Sequence, residues 1–350
     1  MKKLVIVTQA VDREDPNLGA FYYWWEMLAQ SADSLMIIAG RAGSVDFPAN
    51  VSVETFEKRA GILGRVRRLW RFWELCSRHC ADADAVLFHQ IPEFVLAAAP
   101  FLIGRRKAAS LWYAHGAVSW RLRLAERLVH NIFTSSEAGF RLPSKKVFHL
   151  GQGINTDLFK SKAADLRPPT PNLALRLITA GRISPVKNCE IIIGACAVLR
   201  DAGRQFILTI AGDPITPGDR QYLEKLKTIV REKDLDGQVR FAGAVPHSEV
   251  ADLLRQHDVF INASRTGSLD KAVLEAMACG LSVITANEAY RPVLPPNYFL
   301  ERTGADALAE RISVLSGEPR PNEVLRGIVA RDHALAACID RMADLLFNHQ

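Results

Sequence analysis

Along most of its 350 residues the chain alternates short apolar runs with longer segments whose apolar positions recur every three to four residues. Runs at 3–8, 34–39, 85–89, 110–114, 131–134 and 146–150 have the length and composition of buried strands. Between them, helical spacing covers 19–31, 62–80, 92–103 and 119–129. A polar stretch at 161–173, holding Pro168, Pro169 and Pro171, interrupts the pattern and predicts a linker. The alternation then resumes, with strands predicted at 175–180, 206–211, 239–242, 259–263 and 281–285. Helices are predicted at 188–202, 219–232, 248–256, 270–278 and 305–315, and an apolar-striped helix at 330–347 closes the chain.

Short buried strands separated by helices predict parallel sheets covered on both faces. A chain of this length also exceeds one domain of roughly 100–200 residues. The expected fold is therefore α/β, with two Rossmann-like, doubly wound lobes at 1–160 and 174–330. Residues 331–350 form a last helix, free to return to the first lobe. In open parallel sheets ligands bind beyond the carboxyl ends of the strands. Chemistry is expected in the loops after each strand, and a cleft between two such lobes suits two substrates.

Composition narrows the function. No apolar run reaches the roughly 18 residues that suggest a membrane span. The start, Met1-Lys2-Lys3 before an apolar run, reads as a first strand and not a signal peptide, because Asp12-Arg13-Glu14-Asp15 follows where a small-residue cleavage site belongs. The six scattered cysteines are too few for a disulfide framework and imply a reducing cytoplasm. Cys76 and Cys80, with His79 between them, lack the second ligand pair that a structural metal needs.

The net charge of +6 lies wholly in residues 1–160, which hold 21 Lys and Arg against 15 Asp and Glu. All six tryptophans lie there too. Arg65, Arg67, Arg68 and Arg71 interleave with Trp70 and Trp73 at helical spacing, with Arg105-Arg106-Lys107, Arg121 and Arg123 nearby. This suits an anionic membrane surface, the plasma membrane's inner face; a solvated helix with its tryptophans packed inward is the alternative. Nucleic acid is not expected, because no binding motif accompanies the charge.

Two segments carry the candidate chemistry. After the strand at 175–180 comes Gly181-Arg182, then Lys187-Asn188 and a helix. Gly181 permits a tight turn, Asn188 can cap the helix, and two cations beside a helix N-terminus form a site for a diphosphate; taken alone, solvated surface charge is the alternative. In the second segment, Thr266, Gly267, Ser268, Asp270 and Lys271 lead into Ala272–Cys279, where Glu275 is the one acidic group. An ionised carboxylate in so apolar a stretch needs strong donors. A ligand's paired hydroxyls would serve, and so would a buried ion pair with a neighbouring element.

Gly181-Arg182 with Lys187, Ala211-Gly212-Asp213 after a strand, and Leu274-Glu275 running to Gly280 resemble the donor-lobe signature of the family-4, or group 1, glycosyltransferases of the GT-B fold. Asp15 to Gly19, Trp112 to Gly116, Thr134 to Phe140 and Gly151 to Phe159 are similar to that family's acceptor lobe, so the resemblance spans nearly the whole chain. It implies two Rossmann-like lobes facing a central cleft, and transfer of a sugar from a nucleotide diphosphate to an acceptor hydroxyl with retained configuration. Metal and resident cofactor are not implied, the nucleotide sugar being a co-substrate. The acceptor would be a glycan, lipid-linked saccharide or glycolipid in surface polysaccharide biosynthesis.

The resemblance further implies that Arg182 and Lys187 bind the diphosphate and stabilise the departing nucleotide. Glu275 would accept bonds from the ribose hydroxyls, with Gly181, Gly212, Asp213, Thr266, Ser268 and Lys271 also at the donor. Gly19 would let the first loop approach the diphosphate, and His115 would bond a sugar hydroxyl or the developing charge. Where the family has a second glutamate, this chain has Gly267. Asp270 either supplies that carboxylate from a shifted position or caps the helix. The substitution motivates an alternative, a nucleotide-sugar-binding protein of this fold without transfer. A dehydrogenase is disfavoured because no Gly-x-Gly-x-x-Gly follows either lobe's first strand. Asp82 and Asp84 have the Asp-x-Asp form of metal-dependent transferases but precede a strand, away from the ligand edge.

Overall fold

In the first strand, Leu4 and Ile6 join one buried cluster while Val5 and Val7 join another, so side chains alternate between two covered faces of one sheet. The computed structural model describes residues 2–57, 61–102, 108–161, 174–265 and 267–348. These divide into two units, Met1–Gly153 with Ala334–Gln350, and Ile154–His333.

The first unit holds strands β1 (Lys3–Thr8), β2 (Ser34–Ala39), β3 (Val51–Thr55), β4 (Ala85–His89), β5 (Ala108–Trp112), β6 (Asn131–Thr134) and β7 (Val147–His149). They form one parallel sheet in the order β3-β2-β1-β4-β5-β6-β7. Helix α1 (Ala20–Gln30) covers one face. Helices α2 (Gly61–Leu75), α3 (Pro92–Leu102) and α4 (Trp120–Leu128) cover the other. Strand β3 escapes the sequence pattern because it is a half-exposed edge whose Val-Ser-Val-Glu-Thr alternates apolar and polar positions.

Three of the six tryptophans belong to this core. Trp24, Trp25 and Trp112 are fully buried, and each contributes on the order of 2–3 kcal/mol through apolar burial. The clustering of tryptophan in the first half is therefore largely a packing feature, with only Trp70 and Trp120 exposed.

The second unit is a five-stranded parallel sheet of β8 (Leu175–Ala180), β9 (Phe206–Ala211), β10 (Val239–Gly243), β11 (Val259–Asn262) and β12 (Ser282–Thr285), ordered β10-β9-β8-β11-β12. Its helices are α5 (Cys189–Asp201), α6 (Pro217–Glu232), α7 (His247–Arg255), α8 (Lys271–Ala278), α9 (Ala305–Leu315) and α10 (Glu323–Asp332). Successive strands run from β8 outward through β9 to β10, then return to β11 beside β8 and proceed to β12. The strand order thus reverses between β8 and β11, the switch point where such sheets bind ligands.

Two boundaries differ from the sequence reading. The expected helix at 330–347 is two helices, α10 and α11 (Leu335–Phe347), because His333 and Ala334 leave helical dihedrals. Helix α11 buries Leu335, Cys338, Ile339, Met342 and Leu346 in the first unit's core, where Asn131 Nδ2 donates to the Leu345 carbonyl at 3.2 Å. The chain also leaves the first unit at Gly153, before residue 160 and the proline-rich stretch. Arg255 Nη1 donates to the Leu158 and Lys160 carbonyls at 3.2 and 3.1 Å, and the Ile154 N–H to the His333 carbonyl at 2.7 Å, which ties 154–160 into the second unit. Of the expected linker, residues 162–173 lie outside the described residues.

Candidate functional site

The loops at the carboxyl ends of β8, β9 and β10 are bonded to one another. The Gly181 N–H donates to the Ala211 carbonyl at 3.0 Å, the Ile183 N–H to Asp213 at 3.2 Å, and the Gly212 N–H to Gly243 at 2.7 Å. Gly181 and Gly212 both take left-handed dihedrals, with φ of 133° and 131°. A Cβ on Gly212 would lie 2.0 Å from the Gly181 carbonyl oxygen, so no other residue fits there. This packing presents Arg182 at the ligand edge. Its side chain is exposed and makes no hydrogen bond or ion pair among the described residues.

A single 3₁₀ turn, Pro185–Lys187, then carries the chain into α5. Asn188 occupies the N-cap position in the left-handed region, but its side chain does not cap the helix. It donates instead to the Ala263 carbonyl at 3.1 Å, joining the loop after β8 to the loop after β11. Lys187 completes that join: Nζ meets both Asp270 carboxylate oxygens at 3.0 and 2.9 Å.

Asp270 stands at the N-cap position of α8 and makes no capping bond either. Its carboxylate accepts from Lys187 and from Asn262 Nδ2 at 2.7 Å, and its carbonyl accepts from the Tyr290 hydroxyl at 2.5 Å. Burial, with Asp270 and Glu275 nearby, pushes the Tyr290 hydroxyl pKa well up, so it remains a donor. Asn287 Nδ2 donates to the Ser268 carbonyl at 2.7 Å and steadies the segment around Gly267. Asp213 is exposed, and Ser268, Gly267 and Lys271 are half-buried in this loop. Thr266 lies outside the described residues.

Glu275, in the second turn of α8, is buried and already has a partner: His247 Nε2 lies 3.1 Å from its Oε1. A carboxylate only accepts, so the imidazole N–H donates. The two side chains are 7% and 8% exposed. The sequence leaves open a partner for Glu275 on a neighbouring element but does not identify His247. Asn262, Asn287 and Tyr290 were missed in the same way, since no spacing rule links them to the residues they hold.

Gly19 and His115 belong to the first unit. Gly19 is buried at the N-cap of α1 with ordinary right-handed dihedrals, its N–H donating to the Asp15 carbonyl at 2.8 Å, so its backbone does not demand glycine. Asp15 accepts from the Asn17 and Leu18 N–H groups at 2.8 Å and from Arg41. Burial opposes ionisation, but these donors hold the Asp15 carboxyl below its usual range. His115 follows β5 and is exposed, with Nδ1 accepting from the Ala117 N–H at 3.2 Å. Asp84 lies at the amino edge of its sheet, bonded to the Lys3 N–H at 2.8 Å. All six cysteines are buried without a disulfide, and His79 is held by Glu54 at 2.8 Å.

Residues 167–324 match the family described as Glycosyl transferases group 1. Among curated proteins, the chain is 30% identical over 159 residues to the amylovoran biosynthesis glycosyltransferase AmsK of Erwinia amylovora, which covers 43% of this chain and 36% of that one. It is 28% identical over 184 residues to the putative colanic acid biosynthesis glycosyltransferase WcaL of Escherichia coli, covering 50% and 43%. The matched region thus spans less than half the length of these relatives. Among solved structures, Anabaena HepE in complex with UDP and glucose superposes with a TM-score of 0.79 at 15% identity, over 99% of this chain and 100% of that one. At that identity the likeness is one of fold. Residues 167–324 are accordingly a domain of the group 1 glycosyl transferase family, within a chain that has the two-unit GT-B fold.

Proposed function

We propose that the protein is a retaining, metal-independent glycosyltransferase that moves a sugar from a nucleotide diphosphate to a hydroxyl of a glycan, lipid-linked saccharide or glycolipid in surface polysaccharide biosynthesis. The observation that carries this reading is that Arg182, exposed and without a hydrogen bond or ion pair among the described residues, shares the loop after β8 with Lys187, beside the switch point of the second sheet. Relatives named for amylovoran and colanic acid biosynthesis, and a fold neighbour bound to UDP and glucose, support it.

In this mechanism the acceptor oxygen bonds to the anomeric carbon as the bond from that carbon to the phosphate oxygen breaks. The acceptor proton passes to the leaving phosphate. Arg182, Lys187 and the N-terminus of α5 offset the negative charge that builds on the diphosphate. Glu275 accepts from the ribose hydroxyls, and His115 serves the transferred sugar.

Purified protein should bind, and release nucleotide diphosphate from, at least one of a panel of UDP-, GDP-, ADP- and dTDP-sugars in the presence of EDTA. Absence of binding and turnover across the panel, with Glu275→Ala identical to wild type, would refute the proposal. Binding without release across many acceptors would favour a sugar-nucleotide-binding protein instead.

A second element of the proposal sets the protein in the cytoplasm, against an anionic membrane face. It is supported by the outer side of α2, where Ile62, Leu63 and Trp70 are 81%, 76% and 66% exposed beside Arg65 and Arg67. Arg71 contributes less, being held at 2.8 Å by both Glu54 and Glu74. No helix among the described residues is long and apolar enough to cross a membrane.

A further inference from the structure

We infer that His247 is a positioning residue of the donor site, holding the Glu275 carboxylate in the orientation that receives the ribose hydroxyls; the inference rests on the donor-site reading above. His247 opens α7, just after β10, and Glu275 lies in α8, so their bond joins two elements at the carboxyl end of the second sheet. The imidazole is buried, and its ring packs edge-on to Phe159 at a centroid distance of 5.5 Å. Fixing one carboxylate oxygen leaves Glu275 with Oε2 and the remaining lone pair of Oε1 for a ligand. A ribose presents two adjacent hydroxyls and can meet both oxygens. A carboxylate free to rotate would lose part of that match each time it turned, and a 2′-deoxyribose could use only half of it. His247 therefore acts through Glu275 on the discrimination between ribonucleotide and deoxyribonucleotide donors.

The test is calorimetric titration of UDP and 2′-deoxy-UDP, or of GDP or ADP and its 2′-deoxy form if UDP does not bind, into the full chain. The variants are His247→Phe, which keeps a ring but removes the N–H, His247→Gln, which restores a donor, and Glu275→Gln alone and combined with His247→Phe. For His247→Phe the ribonucleotide should bind about tenfold more weakly, as expected for a lost bond to a charged group. His247→Gln should stay within about threefold of wild type, since an amide N–H replaces the imidazole donor. In the Glu275→Gln background the His247→Phe loss should shrink to near nothing, because the partner charge is gone. The 2′-deoxy ligand should respond less throughout. Unchanged ribonucleotide affinity in a folded His247→Phe protein, or an equal loss with and without Glu275, would overturn the inference while leaving the donor site standing. Failure of the wild type to bind any of the three nucleotides would overturn both. Thermal melts of each variant separate misfolding from these outcomes, and His247→Ala, which also removes the N–H and should show the same roughly tenfold loss, carries the test if His247→Phe does not fold.

Discussion

Lys187 and Asp270 form an ion pair with Nζ–O distances of 2.9 and 3.0 Å across the point where the strand order of the second sheet reverses. Asp270 thus does not cap α8, and it occupies the one ammonium group that the donor-site reading assigns to the diphosphate. Ligand and Asp270 compete for that charge. Asp270→Asn keeps the shape that meets Asn262 and Tyr290 while removing the competing anion. Nucleoside diphosphate should then bind about threefold to tenfold more tightly by calorimetry, a gain near 1 kcal/mol. Weaker binding would mean that Asp270 supports the ligand directly.

Arg182 differs from Lys187 in making no hydrogen bond or ion pair among the described residues, although its charge helps to lower the Asp219 carboxyl pKa. Arg182→Ala should leave the melting temperature unchanged and lower turnover on the order of 10²–10³-fold, by analogy with loss of one oxyanion donor. A Lys187→Ala protein should show a similar loss of turnover, together with release of Asp270. Steady-state kinetics beside thermal melts separate the two effects.

The two glycine turns should respond unequally to alanine. At Gly181 a methyl group meets only ordinary contacts, so the cost is that of a left-handed dihedral, about 1–2 kcal/mol. At Gly212 it would also collide with the Gly181 carbonyl, and the loss should exceed about 3 kcal/mol. Denaturant titration of both variants checks the order.

Acid should destabilise the second unit before its carboxylates protonate. Burial lowers the pKa of His257 and His333 in the fold. His257 is held as a neutral ring, Nδ1–H donating to the Leu253 carbonyl and Nε2 accepting from the Thr209 hydroxyl, both at 2.8 Å. Because the folded value lies below the unfolded value of about 6.5, the stabilisation is complete above that pH. It is lost as the pH falls through the folded value. Melting temperature should decline as the pH falls below about 6.5, and His257→Gln should flatten the decline.

Membrane attachment through α2 should depend on Arg65 and Arg67, since Arg71 is already neutralised by two glutamates. Replacing both with Ala should weaken co-sedimentation with anionic vesicles by an order of magnitude or more, at about 1 kcal/mol for each basic residue. Equal binding to neutral vesicles would remove the electrostatic account, and loss only with Trp70→Ala would make it an apolar one.

The local order of the chain was legible in its sequence. Period-two and period-3.6 patterns are properties of neighbouring residues, so β1, β8 and β9 could be read to the residue. The same holds for the segments after β8 and before α8, because glycine turns and lone charges in apolar stretches are local signals. Strand β3 was hidden because an edge strand in water need not be apolar. The break at His333 was hidden because both sides of it carry apolar stripes.

What the tertiary structure alone decided were the pairings. Lys187 and Asp270 are 83 positions apart, and His247 and Glu275 are 28 apart. No periodicity of the chain encodes such distances, which arise only when successive crossovers bring the carboxyl ends of β8, β10 and β11 to one edge. Which lobe owns α11, and which tryptophans are core, were settled in the same way, by which faces remained to be buried once the sheets had formed.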